Sequence, residues 1–111
     1  MDYAERFDQW QTLPQMFFAK AEELGDGPLL WAKHYDAWQP ISWAEASADV
    51  SAFSRGLRSL DVAPGDRVVL VSENRPEWGI ADLAIMSARA LSVPAYTTNT
   101  VDDYIHILTD S

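Results

Sequence analysis

Apolar residues recur at helical spacing in three stretches of the chain, wrap almost all of a fourth, and form short extended runs in four more. Thr12 reads as a helix N-cap with Pro14 in the first turn. Leu13, Met16, Phe17, Ala21 and Leu24 then share one face, and Gly25 ends the helix. Residues 29–35 and 38–41 read as strands of a hairpin with Asp36 and Ala37 between them, a turn without the usual glycine. Ser42 and Glu45 have capping-box spacing for a helix starting at Trp43, whose apolar stripe is Trp43, Ala46, Val50, Phe53, Leu57 and Leu60. Pro64, Gly65 and Asp66 make a turn. Arg67 then leads into Val68, Val69, Leu70 and Val71, a run typical of a strand covered on both faces.

A helix over residues 76–88 follows, with Pro76 in its first turn. Trp78, Ile80, Ala81, Leu83, Ala84, Ile85 and Met86 surround most of it, which predicts deep packing. Residues 91–96 read as a strand. Thr100 caps a last helix with Val101, Tyr104, Ile105 and Leu108 expected inward. Residues 67–96 therefore form a strand–helix–strand unit, a crossover that joins parallel strands. The predicted fold class is α/β, an N-terminal helix and hairpin followed by this parallel unit. The loops Ser72-Glu73-Asn74 and Thr97-Thr98-Asn99 leave the carboxyl ends of the two strands, the edge where open α/β sheets take ligands. Two parallel strands and a hairpin fall short of a covered sheet. Residues 1–111 are thus expected to be part of a larger domain, with 1–11 as a lead segment.

Charge narrows the partners. With 17 acidic residues against 8 basic ones the net charge is −9, which repels nucleic-acid phosphates and anionic lipid heads. No cysteine is present, so disulfides and thiolate chemistry are excluded. No apolar run reaches the roughly 18 residues that span a bilayer, and the first residues carry acid where a signal peptide carries lysine or arginine. The expectation is a soluble, cytoplasmic protein.

Candidate chemistry within the chain is sparse. Neither G-x-x-x-x-G-K-S/T nor G-x-G-x-x-G occurs, and no G-x-S-x-G elbow supports a nucleophilic serine. His34 and His106 lie far apart in sequence, and neither sits in a cluster of metal-ligand spacing. Asp102 and Asp103 fall in the first turn of a helix, where they favour its dipole, and Glu22 and Glu23 are neighbours that do not face each other. The five tryptophans invite a ligand-platform reading, but Trp43 and Trp78 are expected to be core or packing residues.

The order of segments is more telling than any one of them. ISWAEASADVSAFSRGL resembles an early L-S/T-Y/W-x-E helix, LDVAPGDRVVLVSENRPEWGIADLAIM a G-V-x-P-G-D-R-V strand with its helix, and ARALSVPAYTTNTVDDYIHILTDS an A-G-A-x-x-V-P strand with the loop and helix ending in D-S. From Leu13 to Ser111 the chain resembles the start of the adenylate-forming (AMP-binding) superfamily. The segments S-E-N-R-P-E-W and W-x-P-I-S-W-A-E look most like long-chain fatty acid–CoA ligases.

The resemblance implies an ATP-dependent, two-step ligase. A fatty acid attacks the α-phosphate of ATP–Mg to give acyl-adenylate and pyrophosphate, and the CoA thiol then displaces AMP. The family's phosphate loop, ribose-binding aspartate and lid lysine have no counterpart in residues 1–111, so no catalytic residue can be assigned and the chain alone is expected to be inactive, binding neither ATP, Mg nor CoA. Thr97, Thr98 and Asn99 match, in position, the family segment near the CoA channel and are the one candidate cofactor-binding group. Their bland reading is a polar loop capping the next helix. Two departures affect backbone geometry: Arg89 and Asp61 stand where the family carries glycine. The alternative function is a stand-alone, non-catalytic interaction module built on the same fold. In either case an open sheet edge and apolar helix faces are expected to promote self-association.

Overall fold

The computed structural model describes residues 8–111, so residues 1–7 of the expected lead segment lie outside the described residues. The chain divides into two compact units, Met1–Asp49 and Val50–Ser111.

In the first unit, α1 (Leu13–Leu24) starts where Gln15 N–H donates to Thr12 Oγ1 at 3.2 Å. Phe17 and Ala21, one turn apart, are buried, and the Phe17 ring lies 5.2 Å from Phe18 and 5.9 Å from Trp43. Leu13 and Leu24, expected on the same inward face, are exposed, because they sit at the helix ends where less chain overlies them. β1 (Pro28–His34) and β2 (Ala37–Ser42) pair antiparallel, with His34 opposite Ala37. The two-residue turn is therefore Tyr35-Asp36, one position earlier than expected. Both residues are left-handed, at φ 50° and 64°, which is the backbone that lets a two-residue turn follow the strand twist.

α2 (Trp43–Ser59) begins with half of the expected capping box, Glu45 N–H donating to Ser42 Oγ at 3.0 Å. Trp43 and Ala44 N–H groups donate back to Gly27 and Gly25 carbonyls, each at 3.0 Å. The buried positions of the helix are Ala46, Val50 and Ser54, while Phe53 and, beyond the helix, Leu60 are exposed. The covered line thus follows one i, i+4 ridge and is narrower than the expected stripe. At the far end Val62 N–H reaches Leu57 O at 3.2 Å and Asp61 N–H reaches Arg58 O at 3.0 Å. This is a Schellman cap, with Asp61 left-handed at φ 67° in the place usually given to glycine.

In the second unit Ala63-Pro64-Gly65-Asp66 forms a tight turn. Asp66 N–H donates to Ala63 O at 3.0 Å, and Gly65 supplies the φ of 86° that a type II turn needs at its third position. β3 (Arg67–Val71) and β4 (Leu91–Ala95) pair in parallel, Arg67 beside Leu91 through to Val71 beside Ala95, with α3 (Pro76–Ser87) as the crossover that packs on both. Ala81, Ala84 and Ile85 of α3, followed by Ala88 and Ala90, are buried. The helix ends in a second Schellman cap, Ala90 N–H to Ile85 O at 3.1 Å and Arg89 N–H to Met86 O at 3.0 Å, with Arg89 at φ 63°.

Two expectations need correction here. β3 is half-buried rather than covered on both faces, and Val71 is 43% exposed, because the sheet has only two strands among the described residues. In α4 (Val101–Asp110), Val101, Ile105 and Leu108 are exposed, while Tyr104 and Ile107 are half-buried. The inward face is rotated from the expected one, since spacing shows which residues share a face and not which face meets neighbours.

The sheet's two edges differ. Leu91 N–H donates to Asp66 O at 2.7 Å, so backbone alternation turns Leu91, Val93 and Ala95 toward β3 and leaves Ser92 and Pro94 on the outer edge of β4. Pro94 therefore costs the ladder no donor, as strand prolines generally require. By the same alternation Arg67, Val69 and Val71 carry the outer edge of β3.

Candidate functional site

Both loops expected at the carboxyl ends of the parallel strands do meet. A cavity of about 410 Å³ opens there, lined by Ser72, Glu73 and Asn74 after β3, by Trp78 of α3, and by Pro94, Ala95, Tyr96, Thr97 and Thr98 from β4 and its loop. Thr97 and Thr98 thus lie on the cavity wall. Asn99 is outside the lining, and its N–H donates to Tyr96 O at 3.2 Å to close the turn. The Tyr104 hydroxyl donates to the same carbonyl at 2.5 Å, which ties the loop to α4.

Each wall is held locally. Arg75 Nε donates to Ser72 Oγ at 3.3 Å and lies 3.9 Å from the Glu77 carboxylate, so the β3 loop is braced by its own short-range contacts. On the other side Thr100 and Asp103 form a full capping box. Thr100 N–H donates to the Asp103 carboxylate at 2.9 Å, and Asp103 N–H donates to Thr100 Oγ1 at 3.3 Å. The Thr100 backbone N–H, then its side chain, hold the Asp103 carboxyl below its ordinary value.

Trp78, expected as a core or packing residue rather than a ligand platform, is half-buried and forms a wall of the cavity. Its place in the first turn of a helix that follows a site loop was the available signal, because side chains there lean back toward the helix N-terminus. Trp43 is also half-buried, against Phe17.

The lining chemistry is specific in what it offers. Indole, proline and alanine give apolar surface; two threonine hydroxyls, the Asn74 amide and the Ser72 hydroxyl give neutral hydrogen-bonding groups. Glu73 is the acid among the lining residues, and no basic side chain is among them. Such a wall suits a chain of alternating amides and methylenes better than a phosphate. Among the described residues no three His, Cys, Asp or Glu side chains gather as metal ligands, and no helix is long and apolar enough to cross a membrane.

The sequence pattern of the family described as AMP-binding enzyme matches residues 17–111. The chain belongs to that family. Among AMP-binding relatives, the long-chain-fatty-acid–CoA ligase FadD15 of Mycobacterium tuberculosis is 42% identical over 74 residues, covering 67% of this chain and 12% of its own. A chloroplastic long-chain-fatty-acid–[acyl-carrier-protein] ligase of Arabidopsis thaliana is 26% identical over 106 residues, 96% of this chain and 15% of its own. The fold is that of the N-terminal region of adenylate-forming enzymes. A fatty acid AMP ligase from Legionella pneumophila superposes with a TM-score of 0.86 at 19% identity, over 99% of this chain and 20% of that one. The match spans about an eighth of the FadD15 ligase's length, 12%.

Proposed function

We propose that these residues form part of a long-chain fatty acid–CoA ligase, in which ATP-dependent activation of the fatty acid precedes transfer to the CoA thiol. The 42% identity to a ligase of that named specificity is the main support. In this reading the groups that handle ATP and Mg belong to polypeptide outside residues 1–111, and the chain by itself forms no acyl-CoA. Purified residues 1–111 supplied with palmitate, ATP, Mg and CoA should give no thioester, and measurable product would overturn that assignment.

The cavity at the strand ends carries the finer reading, that it is a wall of the CoA channel. Its neutral polar groups and the Trp78 ring match the pantetheine arm, which alternates amides with methylenes and bears the thiol. Thr98→Ala in the full-length ligase should raise the KM for CoA with kcat nearly unchanged, the pattern left by lost uniform binding. An unaltered KM would remove the cavity from the channel while leaving the ligase reading intact.

A further inference from the structure

The two walls of the strand-end cavity are anchored differently. On the β3 side Ser72 Oγ donates to Glu73 O at 3.1 Å and accepts from Arg75 Nε, so that loop is braced from within. On the β4 side Thr97 and Thr98 are exposed, and their hydroxyls hydrogen-bond to no described residue, which leaves both for a ligand. Free side chains of this kind bind well only when the backbone beneath them is already fixed, because ordering a loose loop at binding subtracts from affinity. The brace for this loop comes from the helix that follows it.

Tyr96 is the first residue after β4, and its carbonyl takes two donors, Asn99 N–H at 3.2 Å and the Tyr104 hydroxyl at 2.5 Å. The first closes the turn locally. The second arrives from α4, where Tyr104 is the fourth helical residue after the Thr100 cap. Side chains on a helix lean toward its N-terminus, which lets this ring reach eight residues back along the chain. The capping box of Thr100 and Asp103 fixes the other end of the loop. Residues 97–99 are thus suspended between two anchors, of which the Tyr104 hydroxyl is the long-range one. Phenylalanine would fill the same half-buried place and donate nothing.

We infer that Tyr104 is a positioning residue for the thiol acceptor, holding the Tyr96 carbonyl so that the Thr97–Thr98 wall is set for the amides of the pantetheine arm. The inference deepens the CoA-channel reading and rests on it. Tyr104 lies outside the cavity lining, so its effect on the acceptor passes through the loop.

Tyr104→Phe in the full-length ligase removes the hydroxyl and keeps the ring. The KM for CoA should rise about fivefold with kcat nearly unchanged, the size of one lost hydrogen bond. Fatty-acid-dependent exchange of labelled pyrophosphate into ATP, run without CoA, should be unaltered, since that half-reaction does not use the acceptor. A merely structural role would lower exchange and thioester formation together. On a Thr98→Ala background the effect of Tyr104→Phe should shrink to about twofold or less, as for two residues that act through one contact. If Thr98→Ala raises the KM and Tyr104→Phe does not, the inference is overturned and the channel reading stands. Equal loss of both half-reactions, or full additivity of the two substitutions, also overturns it. An unaltered KM in Thr98→Ala removes the channel reading itself, and the role given to Tyr104 falls with it.

Discussion

The β1–β2 hairpin and the β3–α3–β4 crossover are both two-stranded, yet they are held in different ways. In the hairpin the partners are close in sequence and joined by two residues, so its order is set by the turn and the ladder, and most of its side chains are exposed. In the crossover the partners are separated by a whole helix, and the sheet exists because α3 buries Ala81, Ala84 and Ile85 while packing on both strands. The contrast teaches where a substitution will be felt. Side-chain volume governs the crossover, and backbone conformation governs the hairpin.

The strongest test of that division is Ile85→Ala, which removes the largest fully buried side chain of the crossover. It should destabilise by about 2–5 kcal/mol and strip hydrogen-exchange protection from residues 67–95. Retained protection there would mean that the parallel ladder stands without its helix.

The hairpin should answer to its turn instead. Tyr35 and Asp36 both pay for left-handed backbone, so Tyr35→Asn with Asp36→Gly, the pair that favours this turn, should stabilise by about 1 kcal/mol and raise protection over residues 28–42. Arg89→Gly offers a control within the crossover, at a position with the same backbone strain and an exposed side chain. A gain of about 0.5–1 kcal/mol in denaturant unfolding is expected, larger than for Asp61→Gly because aspartate tolerates this conformation better than arginine. If Arg89→Gly destabilises, side-chain contacts outweigh backbone strain at that cap.

The smallest expected effect is on pH dependence at the site's edge. The Asp103 carboxyl is held below its ordinary value in the folded chain, so its contribution is complete above the unfolded value and is lost as pH falls through the folded one. Acidification below the usual carboxylate range should therefore fray the start of α4, seen as loss of amide protection at residues 100–104. Asp103→Asn should flatten that response. An equal response in the variant would assign it to other carboxylates.

Much of the fold was legible because punctuation residues mark it. Thr12, Pro14 and Gly25 bound α1, Pro64-Gly65-Asp66 precedes β3, and Thr100 opens α4, each as expected. The loops at 72–74 and 97–99 were placed at the strand ends from order alone, and they do share a cavity. The hairpin turn slipped by one residue because Tyr35 carries no left-handed signature of its own, and only the pairing of His34 with Ala37 exposes it. Apolar character also misled. Val101, Ile105 and Leu108 are uncovered, since a sequence records which side chains prefer burial and not which find room for it. Trp78 was hidden among core-like neighbours on a helix that is apolar nearly all round.

Pro94 gives the small parallel sheet a polarity across its width. One flank lacks an amide donor in mid-strand, while the other offers the uninterrupted backbone of Arg67, Val69 and Val71. Any further strand, whether from the same polypeptide or from a second molecule, finds a complete set of donors and acceptors only beside β3. Extension of the sheet is thereby steered to one side, and a misplaced recruit beside β4 would leave a carbonyl unanswered.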